Sequence, residues 1–298
     1  MGIRERLASL QIQRWSLEGD WITLREPARP GADWGLTFPS GLYGSIFDRA
    51  FPDLAKNPWR VTPKSCATFF KRISDQSRDS VRRFVETIRP CVVIKDLTDG
   101  SIALGFRARS GESGVERTEL GQLISDAKPY NDMPDEGHRK AGRELAHRLG
   151  TFVASVPIYG KVDGFIGVPS SMPNPIFSLP RGFAASLSKQ TGKENLSAAL
   201  TKAHPTKALK NLAKDQKLDA LIGSVVVDAA KVKGKSLVVI DDLYQSGLTI
   251  NYIAEELRAA GAREVFGLAA VKTLRDDDNL PKPSPKSQWD DLSDLDLF

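Results

Sequence analysis

The sequence is poor in cysteine and histidine and has no long apolar run. Its two cysteines, Cys66 and Cys91, lie 25 positions apart with no CxxC, which excludes a disulfide framework and a four-cysteine zinc site. Of the three histidines, His138 and His147 are nine positions apart on one predicted helix and project to opposite faces, so no helix-borne zinc centre is expected. No stretch approaches the roughly 20 apolar residues of a membrane span, and the opening MGIRERLASLQIQR is too charged for the apolar region of a signal peptide. Gly2 suggests a myristoylation signal, but Arg6 stands where that signal needs Ser or Thr. The expectation is a soluble, cytoplasmic chain that makes no membrane contact.

What is present suits a large core: 298 residues, 41% hydrophobic and 27% charged, enough for one large domain or two ordinary ones. The net charge of +5 is uneven. Residues 1–150 carry 24 basic and 20 acidic side chains, residues 151–275 carry 16 and 10, and residues 276–298 carry 2 and 7. A basic body suits an anionic ligand such as a phosphate ester, a pyrophosphate or a nucleic acid, and charge alone does not choose among them.

The first 62 residues are rich in Trp, Gly and Pro and have little helical period. Trp15, Trp21, Trp34 and Trp59 are expected to anchor an irregular packing extension rather than an aromatic nucleic-acid platform. ATFFKRISDQSRDSVRRFVETIR at 67–89 reads as a helix, with Phe69, Ile73, Val81, Phe84, Val85 and Ile88 between basic residues. Its basic face is expected to be solvated, with nucleic-acid contact as the second reading. CVVIK at 91–95 and IALGF at 102–106 read as a hairpin. A long amphipathic helix is expected over 137–156, with Ala141, Leu145, Leu149 and Val153 on one stripe. Strand signals at 163–168, 222–227, 235–240 and 265–271 then alternate with helix signals, predicting an α/β fold with a doubly wound parallel sheet. Ligands in such sheets bind beyond the carboxyl ends of the strands. The last residues, 276–298, have no core pattern and are expected to form a flexible acidic tail. Its segment 289–298, WDDLSDLDLF, mixes acids with large apolar side chains and is either a solubilising end or a docking segment for a protein partner.

The most specific stretch is SLVVIDDLYQSGLTINYIAEELRAAGA. An apolar strand ending at Ile240 delivers Asp241 and Asp242 to its carboxyl end, and a loop then enters a helix near Thr249. A phosphate monoester needs several donors in a small space. The backbone of Tyr244, Gln245, Ser246, Gly247, Leu248 and Thr249, with the hydroxyls of Ser246 and Thr249, can supply them at a helix N-terminus. Adjacent carboxylates just upstream are placed to accept hydrogen bonds from vicinal hydroxyls. Phosphate on one side and a diol on the other describe a ribose 5-phosphate.

This stretch resembles the phosphoribosyl-pyrophosphate (PRPP) motif of the type I phosphoribosyltransferases: four apolar residues, two acids and a Ser-Gly-x-Thr loop, matched by Asp241, Asp242, Ser246, Gly247 and Thr249. DGFIGVPSS at 163–171 resembles the family's pyrophosphate strand and loop. LPRGFAASLSKQTG resembles the Arg-Gly-Phe helix of its ComF-like branch, and LGQLISDAKPYNDMPDEGHRKAGRELAHRLG resembles that branch's lead-in more weakly. Two positions depart from the motif: Gln245 stands where the family has Thr or Ser, and Leu248 where it has Gly or Ala. The resemblance implies a phosphoribosyltransferase-like domain over 111–275, after an N-terminal α+β extension over 1–110 whose role it does not explain.

It also implies Mg²⁺ as cofactor, PRPP or a ribose 5-phosphate nucleotide as ligand, and transfer of the phosphoribosyl group to a nitrogenous acceptor. Asp241 and Asp242 would hold the ribose hydroxyls and the metal and stabilise charge on the ring, while Ser170, Ser171 and Arg181 would receive the pyrophosphate. The N-terminal segment, the altered loop and the acidic tail suggest a second function, an effector or regulator of altered activity in a larger complex, as in retron-type antiphage systems. Residues 193–220, with Lys193, Lys202, Lys207, Lys210, Lys214 and Lys217, read as a basic loop able to close over a ligand or to stay solvated.

Overall fold

A computed structural model describes residues 2–274 apart from 17–21, 28, 30–31, 39–40, 57–59, 63–67, 112–113, 129–134, 171–177 and 205–211. Trp21, Trp59, Cys66, Ser171, Lys207, Lys210 and the acidic tail with its segment 289–298 lie outside the described residues.

Seven strands form the central sheet: β1 (Gln13–Ser16), β2 (Val92–Lys95), β3 (Ser101–Ala103), β4 (Gly164–Gly167), β5 (Glu194–Asn195), β6 (Ser236–Tyr244) and β7 (Glu264–Lys272), in the order β1-β2-β3-β7-β6-β4-β5. From β3 to β5 every pairing is parallel, while β2 and β1 add an antiparallel edge. The expected α/β architecture with a mostly parallel sheet is therefore present. The expected hairpin is β2 and β3, and it belongs to the same sheet: Gly267, Leu268 and Ala269 of β7 pair with Ser101, Ile102 and Ala103. The N-terminal extension is thus built into the sheet across position 110.

The helices used below are α1 (Ile3–Ala8), α2 (Arg78–Ile88), α3 (Glu119–Ala127), α4 (Glu136–Ser155), α5 (Leu179–Thr191), α6 (Lys214–Leu221) and α7 (Leu248–Ala259). Both faces of the sheet are covered, so the central strands are continuously apolar. Successive side chains of β6 split between two cores, Val238 and Ile240 facing α4 and α5, and Leu237 and Val239 facing α6 and α7. On α4 the stripe Ala141, Leu145, Leu149 and Val153 is buried as its spacing predicts, and Asp135 caps the helix by accepting from the His138 N–H at 2.9 Å.

Two expectations need correction. The single helix over 67–89 is a strand, Thr68–Ile73, followed by α2, because pairing with Trp34–Phe38 overrides the helical spacing of Phe69 and Ile73. The expected strand 222–227 is short, Val225–Val227, and pairs antiparallel with Leu200–Lys202 outside the central sheet. Thr68–Ile73 and Trp34–Phe38 belong to a four-stranded antiparallel sheet with Thr23–Arg25 and Arg60–Thr62. Trp34 is buried in the first core, as expected of an anchor, and the guanidinium groups of Arg78 and Arg82 lie 5.5 and 5.6 Å from its ring centre. Among the described residues no helix is long and apolar enough to cross a membrane.

Candidate functional site

The strand β6 runs past the two aspartates to Tyr244, so the connection to α7 is only Gln245, Ser246 and Gly247, and the helix starts at Leu248. Glycine is required at 247 for two reasons. Its φ is +77°, and a Cβ there would lie 2.2 Å from the Tyr244 Oη and 2.9 Å from Asn251 Nδ2. By helix geometry the N–H groups of Leu248, Thr249 and Ile250 have no i−4 carbonyl inside α7, so they face the loop as donors. The bulk expected at Leu248 does not crowd this loop, because its side chain is buried in the second core.

The Tyr244 side chain is turned inward. Its hydroxyl donates to Asp96 Oδ2 at 2.7 Å, and Ser101 Oγ donates to the same oxygen at 2.7 Å. The Asn251 amide donates to the Gly247 carbonyl at 2.9 Å and accepts from the Leu97 N–H at 2.7 Å. Asp96 and Leu97 follow β2, so the hairpin supplies the buried hydrogen bonds that fix both ends of the loop. Neither Asp96 nor Asn251 stands out in the sequence. Both lie outside the motif positions, and only the pairing of β3 with β7 brings 96 beside 244.

Asp241 and Asp242 lie at the carboxyl end of β6. Asp241 accepts the N–H of Asp242 at 2.8 Å, and the Lys128 ammonium pairs with Asp242 at 2.5 Å. The environments of the two carboxyls differ. Burial, reinforced by the neighbouring Asp242, pushes Asp241 well above the usual carboxylate range. Burial works against ionisation of Asp242 too, but the Lys128 cation outweighs it and holds that carboxyl below its ordinary value. One member of the pair is thereby kept anionic while the other tends to keep a proton. Lys128 follows α3 in the weakly matched lead-in, and no spacing rule links it to Asp242.

Parallel pairing of β4 with β6 sets Gly167 beside Ile240, and the Val168 N–H donates to the Ile240 carbonyl at 2.9 Å. Ser170 therefore leaves the sheet at the same edge as Asp241, half-buried, and the Ser171 role falls outside the described residues. Arg181 is in the first turn of α5, which approaches so closely that a Cβ on Gly167 would lie 2.6 Å from the Arg181 nitrogen. Its guanidinium donates to the Leu200 carbonyl at 3.0 Å. A cleft of about 130 Å³ is lined by Gln245 to Ile250, Asp241, Leu243, Tyr244 and Lys217. The loop, both aspartates and Ser170 are thus gathered at one end of the sheet, while the Arg181 backbone packs against Gly167, the last residue of β4, and its guanidinium is taken up by the Leu200 carbonyl.

Among the described residues no three His, Cys, Asp or Glu side chains form a metal cage. Mg²⁺ is ordinarily held by one or two carboxylates together with substrate phosphates, a donor set that Asp242, kept anionic here, could begin and that Asp241 could join on giving up its proton.

No family model matches the chain, and no curated protein matches it. Partial likeness is found to solved structures. One is described as the allosteric regulatory enzyme of purine biosynthesis (15% identity, 80% of this chain and 45% of that chain, TM-score 0.34). Another is a glutamine PRPP amidotransferase from B. subtilis complexed with ADP and GMP (14% identity, 80% and 46%, TM-score 0.35). A third is a UMP synthase from Leishmania donovani (19% identity, 52% and 36%, TM-score 0.29). The chain spans less than half the length of each.

Proposed function

We propose that the chain binds PRPP, or a ribose 5-phosphate nucleotide, together with Mg²⁺, and transfers the phosphoribosyl group to a nitrogenous acceptor. The observation that carries this is the juxtaposition at one strand end of an aspartate pair, suited to a vicinal diol, and a tightly turned donor loop at a helix N-terminus, suited to a phosphate. The two subsites are consecutive in the chain, as the two ends of one ribose phosphate require.

In this reading the loop 245–249 holds the 5-phosphate, and Asp241 and Asp242 accept hydrogen bonds from the ribose hydroxyls. Asp242, kept anionic by Lys128, also offsets the positive charge that develops on the ring as the C1–O bond breaks. Pyrophosphate leaves with the bonding electrons, the acceptor nitrogen forms the C1–N bond with its lone pair, and its proton passes to solvent. Bound Mg²⁺, held by the aspartates and the ligand's own oxygens, supplies charge neutralisation for the leaving group. Ser170, Ser171 and Arg181 are assigned to the pyrophosphate, for which Arg181 would exchange its bond to the Leu200 carbonyl. The test is pyrophosphate release from PRPP and Mg²⁺ across a panel of purine, pyrimidine and amine acceptors. Acceptor-dependent release supports the reading, and no release with any acceptor from a correctly folded chain argues against transfer.

A further inference from the structure

The aspartate pair already has a cation of the chain's own. The Lys128 ammonium lies 2.5 Å from Asp242 Oδ2, with the two side chains 29% and 15% exposed. A Mg²⁺ ion on the same oxygen, at its usual distance of about 2.1 Å, would stand no more than about 4.6 Å from the ammonium nitrogen. Like charges that close, largely screened from bulk water by the protein, repel strongly, so a metal ion and Lys128 compete for Asp242.

The lysine is placed there by a fixed frame. It follows α3, and its own N–H donates to the Ser125 carbonyl at 3.2 Å. Thr118 caps the other end of α3, accepting the Gly121 N–H at 3.0 Å and donating its hydroxyl to the Phe106 carbonyl at 2.5 Å. The helix sits so close to the chain at 107 that a Cβ on Gly121 would lie 1.8 Å from the Arg107 carbonyl oxygen. Arg107 in turn donates its N–H to the carbonyl of Lys272, the last residue of β7, and β7 pairs with β6 on both sides of Asp242. The backbone that carries the cation is therefore tied to the strands that carry the aspartates. The ammonium itself is on a flexible four-carbon stem, and it can leave Asp242 for a phosphate oxygen without any movement of that frame.

We propose that Lys128 is a cation gate on the aspartate pair: it holds Asp242 against a divalent ion offered alone, and releases it when an anionic ligand brings the ion with it. This rests on the ribose phosphate reading above and adds to it the order in which metal and ligand arrive. The test is titration of the full chain with Mn²⁺, a spectroscopically visible substitute for Mg²⁺, followed by paramagnetic resonance. It is run with and without PRPP for the wild type, Lys128→Met, Lys128→Gln, Lys128→Arg and Lys128→Met/Asp242→Asn. Calorimetry with PRPP premixed with Mg²⁺ measures ligand binding separately, and thermal unfolding checks that each variant is folded.

The expected result is that Lys128→Met and Lys128→Gln bind Mn²⁺ alone at least tenfold more tightly than the wild type, that Lys128→Arg stays like the wild type, and that the added Asp242→Asn change removes the gain. Wild type holding Mn²⁺ as tightly without PRPP as with it overturns the gate whatever the variants do. Lys128→Met and Lys128→Gln binding Mn²⁺ within twofold of a wild type that does bind PRPP with Mg²⁺ overturns the gate and leaves the ribose phosphate reading standing. A gain of Mn²⁺ binding that survives Asp242→Asn also overturns it. A gain that depends on Asp242, in chains that bind no PRPP, supports the competition at Asp242 and overturns the ribose phosphate reading.

Discussion

Replacing Gly247 by alanine probes the loop where backbone and side-chain constraints coincide. At φ +77° an L-residue is in the left-handed region, which costs about 1–2 kcal/mol. The new Cβ would also stand 2.2 Å from the Tyr244 Oη and 2.5 Å from its Cζ, so the ring must move and give up its bond to Asp96. Leaving those buried polar atoms unpaired costs about a further 1–3 kcal/mol. The sum is about 2–5 kcal/mol, and at about 2 °C per kcal/mol for a chain of this size it predicts a fall in Tm of about 4–10 °C. Calorimetric unfolding of the two proteins measures it. Gly182→Ala is the control, because its Cβ would meet nothing within 4 Å, and a helix-interior Gly→Ala change is expected to stabilise by about 0.5–1 kcal/mol. A Gly247→Ala protein melting within 1 °C of the wild type would refute the packing argument for this loop.

The aspartate pair gives two predictions of opposite sign. Asp241 has a raised folded-state pKa, so its stability contribution is full below the unfolded value and is lost as pH rises through the folded one. Asp241→Asn should therefore raise Tm at pH 7 to 8, with the advantage shrinking on acidification towards pH 4, as followed by unfolding across a pH series. Asp242 is depressed by Lys128, so its contribution is present above the unfolded value and is lost as pH falls through the folded one. Lys128→Met should accordingly lower Tm at neutral pH, and the deficit should close in acid as Asp242 takes up its proton. Parallel pH profiles for variant and wild type would sink either assignment.

The parts of the fold that were legible in the sequence are those specified locally. The apolar run before Asp241, the stripe on α4 and the Gly-containing turn before α7 each carry their own period or turn chemistry. Thr68–Ile73 was not legible, because Phe69 and Ile73 fall at a helical interval while their strand pairing with Trp34–Phe38 is a long-range choice. The same limit applies within the site. Asp241, Asp242 and the loop are contiguous and carry a pattern, whereas Lys128, Asp96 and Lys217 arrive from three other elements or connections, and Asn251, although on α7, owes its role to the hairpin that meets it. Leu248 shows the converse. Its identity suggests bulk in the loop, but the direction of its side chain, set by the first turn of α7, sends that bulk into the core.

The central claim is that one strand end binds both halves of a ribose phosphate, and titration with PRPP in the presence of Mg²⁺ tests it most directly. The wild type should give saturable heat, and Asp241→Asn/Asp242→Asn should lose most of that affinity while still binding inorganic phosphate at the separate loop. Absence of binding by the wild type, or unchanged affinity in the double variant, would contradict the account.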